Sequence, residues 1–167
     1  MSHPVRVLDA ADVDEFRRVR LDALRLHPAA FGAAYEDEVG LDRAQFLARL
    51  TAPGFTRYGA FAKGRLVGLV GLQMRTGAKE QHKARLFSMY VDAAHRGGDL
   101  APRLIEAVIA GARDAGALLL QLSVAADNAP ARRLYRRMGF TVYGVERRSL
   151  RVGEQFHDEE LMALDLD

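Results

Sequence analysis

Cysteine is absent from this chain of 167 residues, and its absence excludes three kinds of chemistry. Without cysteine the protein has no disulfide framework, no thiol nucleophile and no thiolate metal site. An excess of charge of one sign is also lacking, because 24 basic and 22 acidic side chains leave a formal net charge of +2. That charge is too small to argue by itself for a nucleic-acid partner.

Long apolar runs are lacking as well. Neither the start, Met1-Ser2-His3-Pro4, nor any later stretch approaches the about 20 apolar residues of a membrane span. We therefore expect a cytoplasmic protein without a membrane partner. Its 49% hydrophobic and 28% charged residues are typical of globular proteins, and its length suits one domain spanning residues 1–167.

Hydrophobic periodicity predicts alternating strands and helices. Asp12 precedes Glu15 by three residues, which is the spacing of a capping box at the start of the first helix. The segment 31–38 has no clear assignment. The expected strands cover 5–8, 57–62, 66–74, 84–91, 118–124, 141–147 and 159–165. The expected helices cover 13–26, 41–50, a segment from 100 to at least 109, and about 129–138.

A strand, a glycine loop and a helix follow one another near the middle of the chain. The strand ends at Val91, the loop holds Arg96, Gly97 and Gly98, and the helix begins near Leu100. Glycines let a ligand approach the backbone, and the first N–H groups of a helix have no intrahelical partner. The unit therefore suits a phosphate group. The alternative is a connection that needs glycine only for its turn.

A second motif runs from Asn128 to Phe140. Asp127 or Asn128 can cap a helix, Pro130 suits its first turn, and Gly139 suits its C-terminal end. The apolar face of this helix carries Ala131, Leu134, Tyr135 and Met138.

Together, V-x-x-x-x-R-G-G and N-x-x-A-x-x-L-Y-x-x-x-G-F resemble the GNAT superfamily of acetyl-CoA-dependent N-acetyltransferases. The resemblance implies an α/β fold with a mixed, mainly antiparallel sheet in the order β-α-α-β-β-β-α-β-α-β-β. It also implies that the strands ending at Val91 and beginning at Leu118 splay apart around the cofactor. The cofactor-binding residues implied are Met89, Tyr90, Val91, Arg96, Gly97, Gly98, Asp99, Leu100, Ala101, Asn128 and Tyr135.

Asp99 departs from the family's pattern, because glycine is usual at its position. A carboxylate there could cap the helix and would repel the cofactor's pyrophosphate. Arg96 and Arg103 offer compensating charge, and the side chain could instead point to solvent while its backbone N–H faces the ligand.

The resemblance places a general acid at Tyr135, where a phenol could protonate the departing CoA thiolate. A core aromatic is the alternative for this position. The general base is open. Ser123 stands where some members of the family carry a glutamate, which leaves Glu36 and Glu38 as candidates, with His82 and His157 behind them.

The expected function is transfer of an acetyl group from acetyl-CoA to a primary amine of a small molecule by direct attack, without a metal. Acidic residues could favour a cationic amine if they converge on the pocket, and could equally be solvated: Glu36, Asp37, Glu38, Asp158, Glu159 and Glu160.

Three other functions stay open at this point. The first is a protein N-terminal or lysine acetyltransferase, and the second is a non-catalytic sensing module of the same fold. The third is a nucleic-acid-binding domain, which rests on the cluster Arg132, Arg133, Arg136 and Arg137 and competes with a solvated helix face. A homodimer is compatible with the resemblance.

Overall fold

A central sheet of seven strands organises the computed structural model, which describes residues 3–167. The strand order is β1-β2-β3-β4-β5-β7-β6. The strands are β1 Val5–Val7, β2 Phe55–Ala62, β3 Arg65–Met74, β4 Lys83–Val91, β5 Leu119–Ala125, β6 Thr141–Val152 and β7 Gln155–Asp165. The helices are α1 Val13–Leu26, α2 Tyr35–Glu38, α3 Arg43–Leu50, α4 Leu100–Asp114 and α5 Ala129–Arg137.

The mixed, mainly antiparallel sheet confirms the predicted fold class. Every neighbouring pair of strands is antiparallel except β4 and β5, which run parallel. The predicted order of elements is confirmed too, with the single turn of α2 added in the segment that had no assignment. Within residues 3–167, no helix is long and apolar enough to cross a membrane.

Helices cover both faces of the sheet, and each face has its own core. Consecutive strand residues point to opposite faces, so Leu69 and Val70 belong to different cores. The first core joins α4 and α5 to the sheet through residues such as Leu104, Ile105, Leu120 and Met162. The second joins α1 and α3 to it through residues such as Phe16, Leu24, Phe46 and Leu66.

The predicted capping box of Asp12 and Glu15 is wrong. A 3₁₀ turn, Ala10–Asp12, precedes α1 and moves the box three residues upstream. The Asp9 carboxylate accepts from the N–H of Ala11 at 2.9 Å, and the Asp12 carboxylate accepts from the N–H of Asp9 at 2.8 Å. Asp12 makes no side-chain bond to α1 and instead pairs with Arg6.

Glu15 connects α1 to the hairpin of β2 and β3. Its carboxylate accepts from Arg18 at 2.7 Å, from the backbone N–H of Leu66 at 2.9 Å and from Arg65 at 3.2 Å. These bonds, that from Arg18 foremost, lower the pKa of Glu15 to about 2. Each of them favours the ionised carboxylate of the folded state.

The last two strands are longer than predicted. The prediction ended the first of them at Arg147, where charged residues interrupt the apolar pattern, but β6 continues to Val152. Backbone hydrogen bonds to β7 hold this edge strand in place, and they do not depend on its side chains. The pairing continues across a register shift that includes Arg148, whose φ is +52°. The turn between the two strands lies at residues 153–154, and the sequence predicts it near Val152 and Gly153.

We expect Glu15→Gln to lower the free energy of unfolding at pH 7 by about 1–3 kcal/mol, because it removes hydrogen bonds to a charged acceptor. The pKa of Glu15 is depressed in the folded state, so its contribution is present above the unfolded pKa of about 4.3 and is lost as pH falls towards 2. Urea denaturation at pH 7 and at pH 3 measures this difference.

Glu106→Gln is the matched control, since Glu106 is exposed on α4 and forms no ion pair within the described residues. It should leave the free energy of unfolding unchanged at both pH values. An equal effect of the two substitutions at pH 7 would contradict the role of Glu15.

Candidate functional site

The parallel pair of β4 and β5 is joined over three residues only. Residues 83–85 pair with residues 119–121, and beyond that point the two strands separate. On its other edge β4 stays paired with β3 as far as Val91, which lies opposite Gly68. The backbone of 89–91 therefore faces a gap where β5 would otherwise lie, as the resemblance implied.

A bulge marks the place where the strands separate. Ser88 has φ +55°, and the register of β3 and β4 shifts beside it. Its hydroxyl accepts a hydrogen bond of 2.7 Å from Arg20 of α1. The same guanidinium donates two bonds to Glu38, at 2.9 and 3.1 Å. A non-glycine residue in this conformation is strained, and Arg20 helps to hold it there.

The glycine loop presents its backbone to the same gap. Gly97 has φ +80°, a conformation that favours glycine. A Cβ atom added to Gly97 or Gly98 would meet no other atom within 4 Å, so the backbone lies open to a ligand. Helix α4 begins immediately afterwards at Leu100, and its first-turn N–H groups point to the loop. Open glycines before a helix N-terminus are suited to a phosphate.

Asp99 does not cap α4. It occupies the N-cap position, but its carboxylate accepts no bond from the helix and is exposed. Of the arrangements considered for this residue, the structure shows the one in which the side chain points to solvent. Arg103 does not compensate its charge, because the Arg103 guanidinium donates to the carbonyl of His3 at 2.7 Å.

Arg96 fixes the loop to the end of β4 and to α1. Its Nε donates to the carbonyl of Val91 at 2.8 Å, and its Nη2 donates to Nε2 of His27 at 2.9 Å. Since arginine only donates, His27 accepts and is neutral in this contact. Burial and then the charge of Arg96 lower the pKa of His27. Sequence reasoning missed His27, because its contact depends on a residue 69 positions away.

One cavity of 390 Å³ opens at this gap. Eight of the eleven predicted cofactor residues line it, namely Met89, Tyr90, Val91, Arg96, Gly97, Gly98, Ala101 and Asn128. Leu100 lies outside it and packs in the core of α4, and Asp99 and Tyr135 also lie outside it. The lining is completed by His27, Ala30, Phe31, His95, Pro130, Ala131 and Leu134.

Asn128 lines the cavity and caps α5 at the same time. Its Oδ1 accepts from the N–H of Ala131 at 3.3 Å, which confirms the predicted cap. The amide NH₂ of the side chain is left as a donor to the cavity. Pro130 stands in the first turn and Gly139 follows the helix at φ +100°, as predicted.

A second cavity, also of 390 Å³, adjoins the first on the side of α1. Ala30 and Phe31 line both cavities. On β4, Met89 lines the first cavity and the preceding residue, Ser88, lines the second. Polar and charged side chains dominate the second cavity, which we call the polar cavity: Arg20, Arg85, Ser88, Ser123 and Glu159.

The sequence profile of the Acetyltransferase (GNAT) family matches residues 16–140. The chain belongs to this family. An uncharacterised N-acetyltransferase of Mycobacterium tuberculosis is 30% identical over 162 residues, which are 93% of this chain and 98% of the relative. The mycothiol acetyltransferase of Brachybacterium faecium is 30% identical over 149 residues. That match covers 86% of this chain but only 44% of the relative, so the chain spans less than half of that protein.

Solved structures share the fold of this GNAT chain. The structure of yncA from Salmonella typhimurium with its cofactor acetyl-CoA has a TM-score of 0.87 at 24% identity, covering 100% of this chain and 95% of that one. Acetyl-CoA is the cosubstrate of the GNAT family. The open glycines, the helix N-terminus and the unpaired edge of β4 fit its pyrophosphate and its extended pantetheine arm.

Tyr135 lies in the core of this GNAT domain rather than on the cavity surface. It is 6% exposed, and its ring packs edge-on against Phe140 at 5.8 Å between centroids. Burial raises the pKa of Tyr135 well above its usual value. Within residues 3–167 its hydroxyl has no hydrogen-bond partner. Leu134, the preceding residue, lines the cavity.

Glu38 is not retained as a candidate base. It is 2% exposed and pairs with Arg20 at 2.9 Å and with Arg49 at 3.1 Å. Two guanidinium groups stabilise its ionised form and leave no room for an amine. Sequence alone could not show this, because its partners lie on α1 and α3.

The other predicted bases are dispersed. Glu36 lines an outer cavity of 520 Å³ between the segment 28–36 and the hairpin of β6 and β7. His82 is exposed where β4 begins, at the end of the strand away from the gap, and His157 lies 3.6 Å from Asp127. The structure brings none of these three side chains into either cavity at the gap.

The acidic residues do not converge on one pocket. Glu160 is buried beneath α5 and pairs with Arg132 and Arg136, so its one negative charge offsets part of the arginine cluster considered for nucleic acid. Asp158 accepts from the backbone N–H of Arg148 at 2.8 Å. Glu159 faces the polar cavity. Because consecutive side chains of a strand point to opposite faces of the sheet, strand alternation in the sequence distinguishes Glu159 from Asp158 and Glu160.

We expect the neutral form of His27 to support the glycine loop. Its pKa is lowered in the folded protein, so its contribution is present above the unfolded pKa of about 6.5 and is lost as pH falls below it. The unfolding temperature of the wild type should fall between pH 7.5 and pH 5. His27→Gln keeps an acceptor that does not titrate and should make this fall smaller.

His82→Gln is the control, because His82 is exposed on the loop before β4. It should preserve the pH dependence of the wild type. Identical curves for His27→Gln and the wild type would contradict the role of the contact with Arg96.

Proposed function

We propose that this chain transfers the acetyl group of acetyl-CoA to a primary amine of a small molecule by direct attack. The observation that carries the proposal is the cavity beside the glycine loop at the gap between β4 and β5, with eight of the eleven expected cofactor residues on its walls. Volumes of 390 Å³ for this cavity and its polar neighbour lie in the range of small-molecule sites.

The cofactor would lie across the gap. Its pantetheine amides would bond to the free backbone edge of 89–91, as an added strand does. Its pyrophosphate would bind the open glycine loop and the N-terminus of α4, and the amide of Asn128 would donate to the pantetheine arm. The acetyl group would then lie near Ser88 and Phe31, where the two cavities adjoin.

Direct attack needs a neutral amine, polarisation of the acetyl carbonyl and a proton for the departing thiolate. A backbone N–H on the free edge of 89–91 would polarise the carbonyl. No enzyme thiol is available, which agrees with attack by the amine itself. Glu36, at the outer cavity, stays a candidate proton acceptor. Water would carry the proton from the amine to its carboxylate.

Tyr135 is our candidate for the proton donor. Its raised pKa keeps the phenol protonated at any working pH, and its hydroxyl has no partner within the described chain. The sulfur of bound CoA would take the proton of this hydroxyl. The position next to Leu134 puts the residue just behind the wall of the cavity.

We expect Tyr135→Phe to lower kcat by roughly 10²–10⁴-fold while the Kd for acetyl-CoA changes less than threefold. The substitution removes a proton donor and conserves the ring that packs on Phe140. Steady-state release of free thiol and calorimetric titration with acetyl-CoA measure the two quantities.

Tyr143→Phe is the matched control, since Tyr143 is 55% exposed on β6. It should have wild-type kcat. An unchanged kcat in Tyr135→Phe across the pH range would leave Tyr135 with a packing role only.

We expect Asp99→Asn to tighten binding of acetyl-CoA several-fold at low salt and less at high salt. The carboxylate caps nothing, so its replacement removes repulsion of the pyrophosphate without removing a bond. Titrations at two salt concentrations measure the effect and also test whether the wild type binds at all.

Asp114→Asn, at the other end of α4, removes the same charge far from the loop and should leave the affinity unchanged. Weaker binding by Asp99→Asn would show that the carboxylate supports the loop. Failure of both wild type and Asp99→Asn to bind acetyl-CoA would contradict the proposed function and favour a module without cofactor.

A further inference from the structure

Two opposite charges that do not pair with each other face the polar cavity. Arg85 extends from β4 and Glu159 from β7, and β5 lies between them with Ser123 on the same face of the sheet. Arg85 lies opposite Gln121 and Glu159 opposite Ala125. These positions are four residues apart along the strand direction, about 13 Å, and two strand spacings apart across the sheet, about 10 Å.

Neither charge is neutralised elsewhere. Within the described residues, Arg85 forms no salt bridge and lies beside the ring of Phe87, 5.9 Å from its centroid. Glu159 forms no salt bridge either and accepts from the hydroxyl of Ser149. Arg85 is exposed and Glu159 is half-buried, so both charges are accessible to a charged ligand from solution.

The other charged groups of this region contrast with these two. Arg20 also lines the polar cavity, but it is occupied by Glu38 and Ser88. Arg57, close by, is half-buried and donates to the carbonyl of Arg49 at 2.6 Å. Arg85 and Glu159 are therefore the charged groups of the cavity that are left to bind a molecule from solution.

We propose that the acetyl acceptor is an amino acid, whose carboxylate binds Arg85 and whose amine binds beside Glu159. This inference rests on the proposed function and narrows its acceptor. Arginine matches a carboxylate with two parallel hydrogen bonds, and a carboxylate attracts an ammonium group. Phe31 and Phe87 supply apolar surface for the side chain of the amino acid.

The reaction balances with these groups. The ammonium proton leaves to water or to Glu159, and the nitrogen lone pair attacks the acetyl carbonyl of acetyl-CoA. The C–N bond forms, the C–S bond breaks, the nitrogen gives up its second proton, and the departing thiolate takes up a proton, so the net reaction releases one proton. The product is an N-acetyl amino acid and free CoA, so the amine end of the acceptor loses its charge and its attraction to Glu159.

A peptide N-terminus and a simple amine lack the carboxylate next to the amine. They would bury Arg85 without a partner, and leaving a charged donor unsatisfied is costly. The cavity therefore discriminates against both, and the distinction can be measured with acceptors that differ in this group alone.

The test compares each of the common L-amino acids with its α-carboxamide and its decarboxylated amine, by release of free thiol from acetyl-CoA. We expect the preferred amino acid to exceed its carboxamide in kcat/KM by roughly 10- to 100-fold, the effect of one charge-assisted bond. Arg85→Gln should reduce the amino acid to the level of its carboxamide and leave the carboxamide unchanged.

Glu159→Gln should act at the other end and lower kcat/KM for the amino acid and its carboxamide alike. Lys79→Gln is the control for loss of a positive charge, because Lys79 is exposed on the loop between β3 and β4. It should preserve both the rates and the preference for the carboxylate.

Faster turnover of carboxamides or simple amines, or an equal loss of both activities in Arg85→Gln, would overturn the amino-acid assignment while the acetyltransferase function stands. Turnover of peptides alone would do the same. Absence of thiol release with every amino acid, while acetyl-CoA binds in a titration, would also overturn it. Absence of acetyl-CoA binding would instead overturn the proposed function itself.

Discussion

The early end of the parallel pairing between β4 and β5 is the constraint on which the site depends. Three paired residues join the two strands, and after them each strand keeps its other neighbour, β3 or β7. The sheet thus stays continuous while a gap opens inside it. The gap gives a ligand access to the edge of β4 with its backbone groups free, and it connects the cavity beside α5 with the polar cavity beside α1.

Charged contacts between distant segments keep this gap in shape. On one side, Arg20 connects the bulge at Ser88 to the buried carboxylate of Glu38. On the other side, Arg96 connects the glycine loop to the end of β4 and to His27. Both arginines are satisfied by the protein itself, which leaves the glycine backbone and the helix N-terminus for an anion. Positive side chains here position the loop, and the backbone supplies the binding groups.

Local patterns in the sequence were sufficient for most elements. Three features depend only on neighbouring residues: the cap at Asn128, the turn between β2 and β3 at Lys63 and Gly64, and the glycine loop. The sequence predicts each of them close to its observed place. Prediction failed where a contact crossed the chain or a local competitor intervened. Asp12 was assigned to α1 because its spacing from Glu15 fits a box, but the preceding 3₁₀ turn and Arg6 engage it instead.

The sequence by itself determined the family, the order of strands and helices and eight of the residues that line the cavity beside the glycine loop, because two contiguous motifs carry that information. Only the tertiary structure decided which carboxylates are free. Glu38 and Glu159 look alike in the sequence, yet one is held by arginines from two helices and the other faces a cavity. The availability of a charge depends on side chains that meet only when the sheet assembles, such as Arg20 and Ser88, which are 68 positions apart.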